Sequence, residues 1–355
     1  MHLTTELSVS IDSPDLGAAT GSDTADLQRI APRVVRAAIP LPLPDLKVIN
    51  AYLVAGDDGV TLIDPGWACA ESEEKLLAAL DTLGYTRSDV RRILATHAHW
   101  DHYSLAVKWR HELGVELALG SGERHSISSF DPDRGLHPAQ VGMLTRAGAP
   151  ELARQVRRLK WQPYERDVAF TPPDRWLEDG DRIDCGGITL TVRSTPGHTR
   201  GHVVFADEAN RLMFTGDHLL PRITPSIGFE DSPEPLPLRS FLSSLRLVLD
   251  LPEHRMLPAH GGADRTTTVR AAELIEHHRD RLALVADLVA ARGQATAYEI
   301  ATRMRWTRHD RPITDLDPIH RMVAVIEVMS HLDLLVHQGT LAEDTSHPAS
   351  VFQPA

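Results

Sequence analysis

Apolar residues along this chain fall into more than one rhythm. Val48–Leu53 (VINAYL) and Val60–Ile63 (VTLI) are compact apolar runs, the second closed by the turn sequence Asp-Pro-Gly, and both read as strands. Ala70–Gly84 carries apolar residues at helical spacing and ends on a glycine, which predicts a helix. A strand over Arg91–Ala95, a helix over Ser104–Gly114 and a strand over Val115–Gly120 continue the alternation. Strands alternating with helices predict an α/β layered domain. The rhythm breaks between Ser121 and about Glu165, where HPAQVGMLTRAG and PELARQVRRLKW predict two helices inserted above the sheet. RWLEDGDRIDCGGITLTVRSTPG and HVVFADEANRLMFTGD then return to strand-type sequence, with DG, GG and DEAN as hairpin turns.

From about Thr266 the pattern becomes helical. VRAAELIEHHRDRLALVADLVAARG predicts a long amphipathic helix with a glycine stop. TAYEIATRM opens on a threonine with glutamate three residues on, a capping box. DPIHRMVAVIEVMSHLDLLVHQG predicts a further helix running into a strand and turn.

Composition narrows the class. At 355 residues the chain has room for one large domain and a smaller one. Its 42% hydrophobic and 24% charged content is ordinary for a soluble globular protein. No apolar run is long enough to cross a membrane, and the acid-bearing start lacks a signal-peptide pattern. Residues 1–32 are therefore expected to form a mobile arm and the protein to be cytoplasmic. Cys69 and Cys185 are too few for a disulfide framework, and neither lies in a metal-binding pair. A net charge of −12 works against unguided binding to nucleic acid or anionic membrane.

The chemistry concentrates in THAHWDHYS, residues 96–104. His97 and His99 alternate at the end of a predicted strand and so project the same way. Asp101 and His102 leave at another angle, from the start of the next helix. Two ligand pairs facing one space predict a site for two metal ions. His198 in TPGHTRGH, Asp217 in FTGDHL and His260 in MLPAHGG each follow a strand-like run and sit beside glycine.

The ordered set HxHxDH, H, D, H over Val48–Gly262 resembles the metallo-β-lactamase superfamily, in its glyoxalase II-like dinuclear branch. The resemblance implies an α/β fold, an αββα sandwich spanning 33–264, with the helical insert at 121–165. It implies that His97, His99 and His198 hold one metal, Asp101, His102 and His260 the other, and that Asp217 bridges them. Zinc suits imidazole and carboxylate ligands, as do iron and manganese. The true zinc β-lactamases place a cysteine among these ligands and this chain does not, so antibiotic hydrolysis is not expected. Asp64 in LIDPG and His202 are expected to orient ligands from behind. The reaction implied is hydrolysis of a small ester, thioester or lactone by a metal-bridging hydroxide, with Asp101 orienting it and passing its proton on.

Substrate contacts are expected from Tyr103, against simple packing beneath the loop, and from Arg222, which could meet a carboxylate or phosphate, against an ordinary surface position. The insert, with Val141, Met143, Leu144, Leu152, Val156 and Leu159 at helical spacing, reads as a packing layer or as a lid over an acyl group. No glutathione-binding residues of glyoxalase II are recognised. Residues 265–355 resemble the winged-helix-like C-terminal domain of lactamase-β-like 2 proteins, some of which cut single-stranded RNA. That makes a metal-dependent endoribonuclease the alternative function. The segment holds 10 Arg, no Lys and 12 acids, where an RNA footprint should be basic. Arg303, Arg305, Trp306, Arg308 and Arg311 are the contrary cluster. A small-molecule acyl substrate is expected, with dimerisation or pocket capping as the role of the C-terminal module.

Overall fold

The computed structural model describes residues 27–355 except 44–45 and 308–309. The first half runs β1 (Leu27–Ala31), β2 (Val34–Pro40), β3 (Val48–Gly56), β4 (Gly59–Ile63), α1 (Ala70–Thr82), β5 (Val90–Leu94), α2 (Trp100–Leu113) and β6 (Glu116–Gly120). Four short helices follow: α3 (Arg124–Ser129), α4 (Pro138–Arg146), α5 (Pro150–Arg157) and α6 (Pro163–Arg166). The second half runs β7 (Arg175–Leu177), β8 (Arg182–Asp184), β9 (Thr189–Ser194), β10 (Val203–Asp207), β11 (Leu212–Gly216), α7 (Pro237–Asp250), β12 (Arg255–Pro258) and α8 (Thr267–Arg292). The chain closes with α9 (Ala297–Ala301), β13 (Arg305–Trp306), β14 (Arg311–Pro312), α10 (Pro318–His337), β15 (Leu341–Asp344) and β16 (Val351–Pro354).

Strands β1 to β7 form one sheet in sequence order, antiparallel up to β4 and parallel from β4 to β7. The second sheet is ordered β12-β11-β10-β9-β8, with β11 and β12 parallel. Tyr52, Val54, Ile63 and Leu94 of the first sheet meet Leu190, Val192, Phe205 and Phe214 of the second in a buried layer. Tyr52 packs edge-on to Phe214 at 5.2 Å between centroids. Outside the first sheet, Leu76 and Leu80 of α1 and Leu105 and Trp109 of α2 cover Ile93 and Leu117. Outside the second, Phe241 and Leu245 of α7 pack with Met256 and with Ala271 and Leu274 of α8. Helix, sheet, sheet, helix is the mixed α/β sandwich that the family resemblance implies.

Two expectations change. The arm expected over 1–32 does not extend that far, because Leu27–Ala31 is an edge strand hydrogen-bonded to β2; residues 1–26 lie outside the described residues. The insert does not turn its apolar face to a substrate. Val141, Leu144, Leu152 and Val156 are buried in one cluster with Val285, Val289, Ile300, Met322, Val325 and Met329 of the C-terminal helices. The insert is the packing layer, and the segment from 265 has no core to itself. Arg146 of α4 ties the two together by pairing with Asp333 of α10 at 2.7 Å and with Glu343 of β15 at 2.8 Å.

Candidate metal centre

Strand ends carry the site. His97 and His99 follow β5, and Asp101 and His102 lie in the first turn of α2, which begins earlier than the sequence pattern suggests. His198 follows β9, Asp217 follows β11 and His260 follows β12. The two sheets bring these ends to one edge of the sandwich. His97, His99, His198 and Asp217 offer ligand atoms within 4.8 Å of one another, as do Asp101, His102 and His260. All seven expected ligand positions are gathered.

The imidazole tautomers point lone pairs inward. His99 Nε2 is 2.6 Å from the carbonyl of Phe229, His198 Nδ1 is 2.6 Å from that of Ser226, and His260 Nδ1 is 2.9 Å from that of Val48. A carbonyl only accepts, so each of these nitrogens donates and the other ring nitrogen keeps its lone pair. His198 Nε2 then faces His97 Nε2 at 3.2 Å and His99 Nδ1 at 3.1 Å. Burial pushes the His97 and His198 imidazoles well below their usual range, so they stay neutral. Neutral nitrogens at this separation oppose lone pair to lone pair, and a cation between them resolves the conflict. On the other side, His102 Nε2, His260 Nε2 and Asp217 Oδ1 are buried without hydrogen-bond partners. The donor set fits divalent metal ions, with His and carboxylate ligands and no thiolate.

Asp217 stands between the clusters. Its Oδ2 lies 3.6 Å from His198 Nε2, while its Oδ1 lies 3.5 Å from His260 Nε2 and 3.7 Å from His102 Nε2. Asp101 Oδ2 is 3.2 Å from His260 Nε2. Burial raises the Asp101 carboxyl, but the charges of the neighbouring His102 and His260 overcome it and hold the group well below the carboxylate range.

Behind the ligands, Asp64 accepts from the backbone N–H and the hydroxyl of Thr96 at 2.8 and 2.9 Å and sits 2.9 Å from His102 Nδ1. His202 Nδ1 is 2.8 Å from the Thr195 hydroxyl, and its Nε2 accepts the backbone N–H of Asp217 at 3.2 Å. Gly216 is needed next to Asp217: its φ is +50°, and a Cβ there would meet Thr96 Oγ1 at 2.6 Å and His202 Nε2 at 2.7 Å.

The expected substrate residues fare differently. Tyr103 is fully buried, and its hydroxyl donates to the carbonyl of Thr171 at 2.9 Å while its ring packs on Phe170. It is a packing residue, because position 103 falls on the core side of α2 rather than the ligand side. Arg222 is exposed on its loop. In the RNA-type cluster, Trp306 is buried under Arg281, with the guanidinium 4.7 Å from the ring centroid, and donates its indole N–H to Ala301. It offers no face to a base. Arg303, Arg305 and Arg311 are exposed, and Arg308 lies outside the described residues.

Sequence reasoning missed the cavity beside His99. It measures about 100 Å³ and is lined by Trp100, Phe130, Trp161, Phe170 and Phe229 among others, with Glu123, Glu230 and Asp231. Only Trp100, inside the histidine motif, carried a local signal; the others come from the insert, from the segment between it and β7, and from the loop after Asp217.

Comparisons with known proteins agree with this geometry. Residues 44–260, which hold all seven gathered side chains, match the Metallo-beta-lactamase superfamily. The chain is 28% identical over 202 residues to the hydroxyacylglutathione hydrolase GloC of Haemophilus influenzae, covering 56% of this chain and 78% of that one. It is 29% identical over 173 residues to an acyl-coenzyme A thioesterase of Bos taurus, covering 47% and 57%. The crystal structure of a beta-lactamase domain protein from Burkholderia ambifaria superimposes with a TM-score of 0.77 at 27% identity, over 97% of this chain and 98% of that one. That overlap takes in the insert and the C-terminal helices as well as the sandwich. With the family match spanning most of the chain and every gathered side chain inside it, the protein belongs to the metallo-beta-lactamase superfamily.

Proposed function

We propose that the protein is a dinuclear metal-dependent hydrolase of a small thioester, ester or lactone. The observation that carries the reading is the Asp217 carboxylate, whose two oxygens face two separate sets of inward-pointing ligand atoms. His97, His99 and His198 would hold one ion, Asp101, His102 and His260 the other, with Asp217 shared. When bound, such ions make water acidic enough to attack at neutral pH and polarise the scissile carbonyl. The chain's own groups do the rest. Asp101 accepts the proton of the attacking water and returns it to the leaving sulfur or oxygen. Asp64 and His202 keep His102 and Asp217 in place, so little reorganisation is needed as charge develops.

Thioesters lead the substrate classes because the names of both hydrolase relatives describe thioester cleavage. The acidic lining of the cavity beside His99 weighs against the endoribonuclease alternative, since a phosphate backbone would meet carboxylates there. The three helices α8, α9 and α10 with the β15–β16 hairpin form the winged-helix-like module of this reading. Its role is to back the insert, whose loops wall that cavity.

A panel of acyl thioesters, lactones and labelled single-stranded RNA, offered to zinc-, iron- and manganese-loaded protein, tests the proposal. Thioester or ester cleavage that a chelator abolishes and that Asp101→Asn lowers at least a hundred-fold is expected. Cleavage of RNA with none of any acyl substrate overturns it.

A further inference from the structure

The cavity beside His99 has two unlike walls. One is aromatic: Trp100 stacks on Phe170 with centroids 5.1 Å apart and leans on Trp161 at 5.0 Å, while Phe130 lies 4.8 Å from Phe170. The other is made of acceptors: Glu123, Glu230, Asp231 and Gln140. Among the described residues, no lysine or arginine lines it.

Glu123, Glu230 and Gln140 meet neutral donors or none. Gln140 is 2% exposed and gives its Nε2–H to the carbonyl of Glu230 at 2.9 Å. That bond fixes the amide and leaves Gln140 Oε1 buried with no partner. Glu230 takes the Ser126 hydroxyl at 2.7 Å and the Arg200 backbone N–H at 2.6 Å, both neutral donors. Burial pushes the Glu230 carboxyl up to about 8, with the nearby Glu123 adding to it, and burial pushes Asp231 up to about 6 against the opposing charge of Arg134. Buried carboxyls in this state gain most from a cation brought in beside them.

The form of that cation follows from the walls. Among the described residues these acids do not form a group with ligand atoms within 4.8 Å, as the two metal-holding sets do. Aromatic faces attract organic cations through the ring quadrupole. The volume of about 100 Å³ is smaller than the roughly 150 Å³ that holds benzene, so it admits a side group of a few heavy atoms.

We propose that this cavity is a specificity pocket for a protonated amine on the acyl part of the substrate, held between the aromatic wall and Gln140, Glu230 and Asp231. The substrate class is then a short aminoacyl thioester or ester, with the scissile carbonyl toward His99. This deepens the hydrolase reading and rests on it.

Two measurements on the full metal-loaded chain test the pocket. The first compares the 3-aminopropionyl and butyryl thioesters of N-acetylcysteamine, which differ by an ammonium in place of a methyl group. A kcat/KM at least ten-fold higher for the aminoacyl thioester is expected, and Asp231→Asn should shrink that ratio at least five-fold. Equal or faster cleavage of the butyryl thioester overturns the proposal. The second measures binding of propylammonium and of 1-propanol by titration calorimetry, without any turnover. Saturable binding of the amine, weakened in Asp231→Asn, with none of the alcohol, is expected. No saturable binding of the amine overturns the pocket. Amine binding with neither thioester cleaved supports the pocket and counts against thioesters as the substrate class instead.

Discussion

Asp64 Oδ2 lies 2.9 Å from His102 Nδ1, with the two side chains 3% and 0% exposed. The carboxylate turns the imidazole so that Nε2 faces Asp101 and Asp217, and it raises the basicity of that nitrogen. Asp64 has φ +50°, a backbone region that asparagine shares with aspartate and alanine does not. Asp64→Asn therefore removes the charge without straining the loop. Affinity for the second metal ion should fall ten- to a hundred-fold, measured by competition with a chromogenic chelator. Unchanged affinity would show that the pair only packs.

Asp217→Ala should lower occupancy of both ligand sets together, since one carboxylate oxygen faces each. Elemental analysis after gel filtration checks this. Loss from one set alone would contradict the shared position.

Leu144 is fully buried among residues of the C-terminal helices. Leu144→Ala should destabilise the protein by about 2–5 kcal/mol through the cavity it leaves. The ratio of KM for long and short acyl thioesters should not move, because this face meets protein rather than substrate. A selective rise in KM for long chains would restore the lid.

Tyr103→Phe removes one hydrogen bond, to the carbonyl of Thr171. The expected cost is about 1 kcal/mol of unfolding free energy, measured by urea denaturation, with kcat unaltered. A fall in kcat at unchanged stability would return the hydroxyl to the active site.

Burial holds both His331 and His277 down at about 4, and the Arg281 charge acts in the same direction. The unfolded chain titrates these groups near 6.5 and so binds more protons between the two values. Their stabilisation is complete above pH 6.5 and is lost as pH falls toward 4. Glu230, pushed up to about 8, works in the opposite sense. A difference experiment separates them: between pH 7 and 4.5 wild type should lose more stability than His331→Gln, by on the order of a few kcal/mol. Parallel pH profiles for the two proteins would exclude His331 as a source of acid lability.

The α/β alternation and the candidate metal centre were legible because they rest on local geometry. Side-chain alternation in a strand sends His97 and His99 the same way, and the start of a helix turns Asp101 and His102 aside. His198, Asp217 and His260 each announce themselves by following a strand. Helix ends were legible too: Thr296 accepts from the Glu299 backbone N–H and Glu299 reaches back, as the TAYE spacing predicts.

What surrounds the centre was decided by tertiary structure. The apolar period of α4 and α5 states that a face is buried, but hydrophobic attraction has no direction and does not name its partner. Only the fold shows that Leu144 and Leu152 meet Met322 and Val325 of α10 instead of a substrate. Tyr103 could face either way until the rotation of α2 was known. The acid-and-aromatic cavity joins Trp100, Phe130, Trp161 and Glu230, which lie far apart along the chain. No periodicity links such positions; the packing of the insert and of the loop after Asp217 around the start of α2 does.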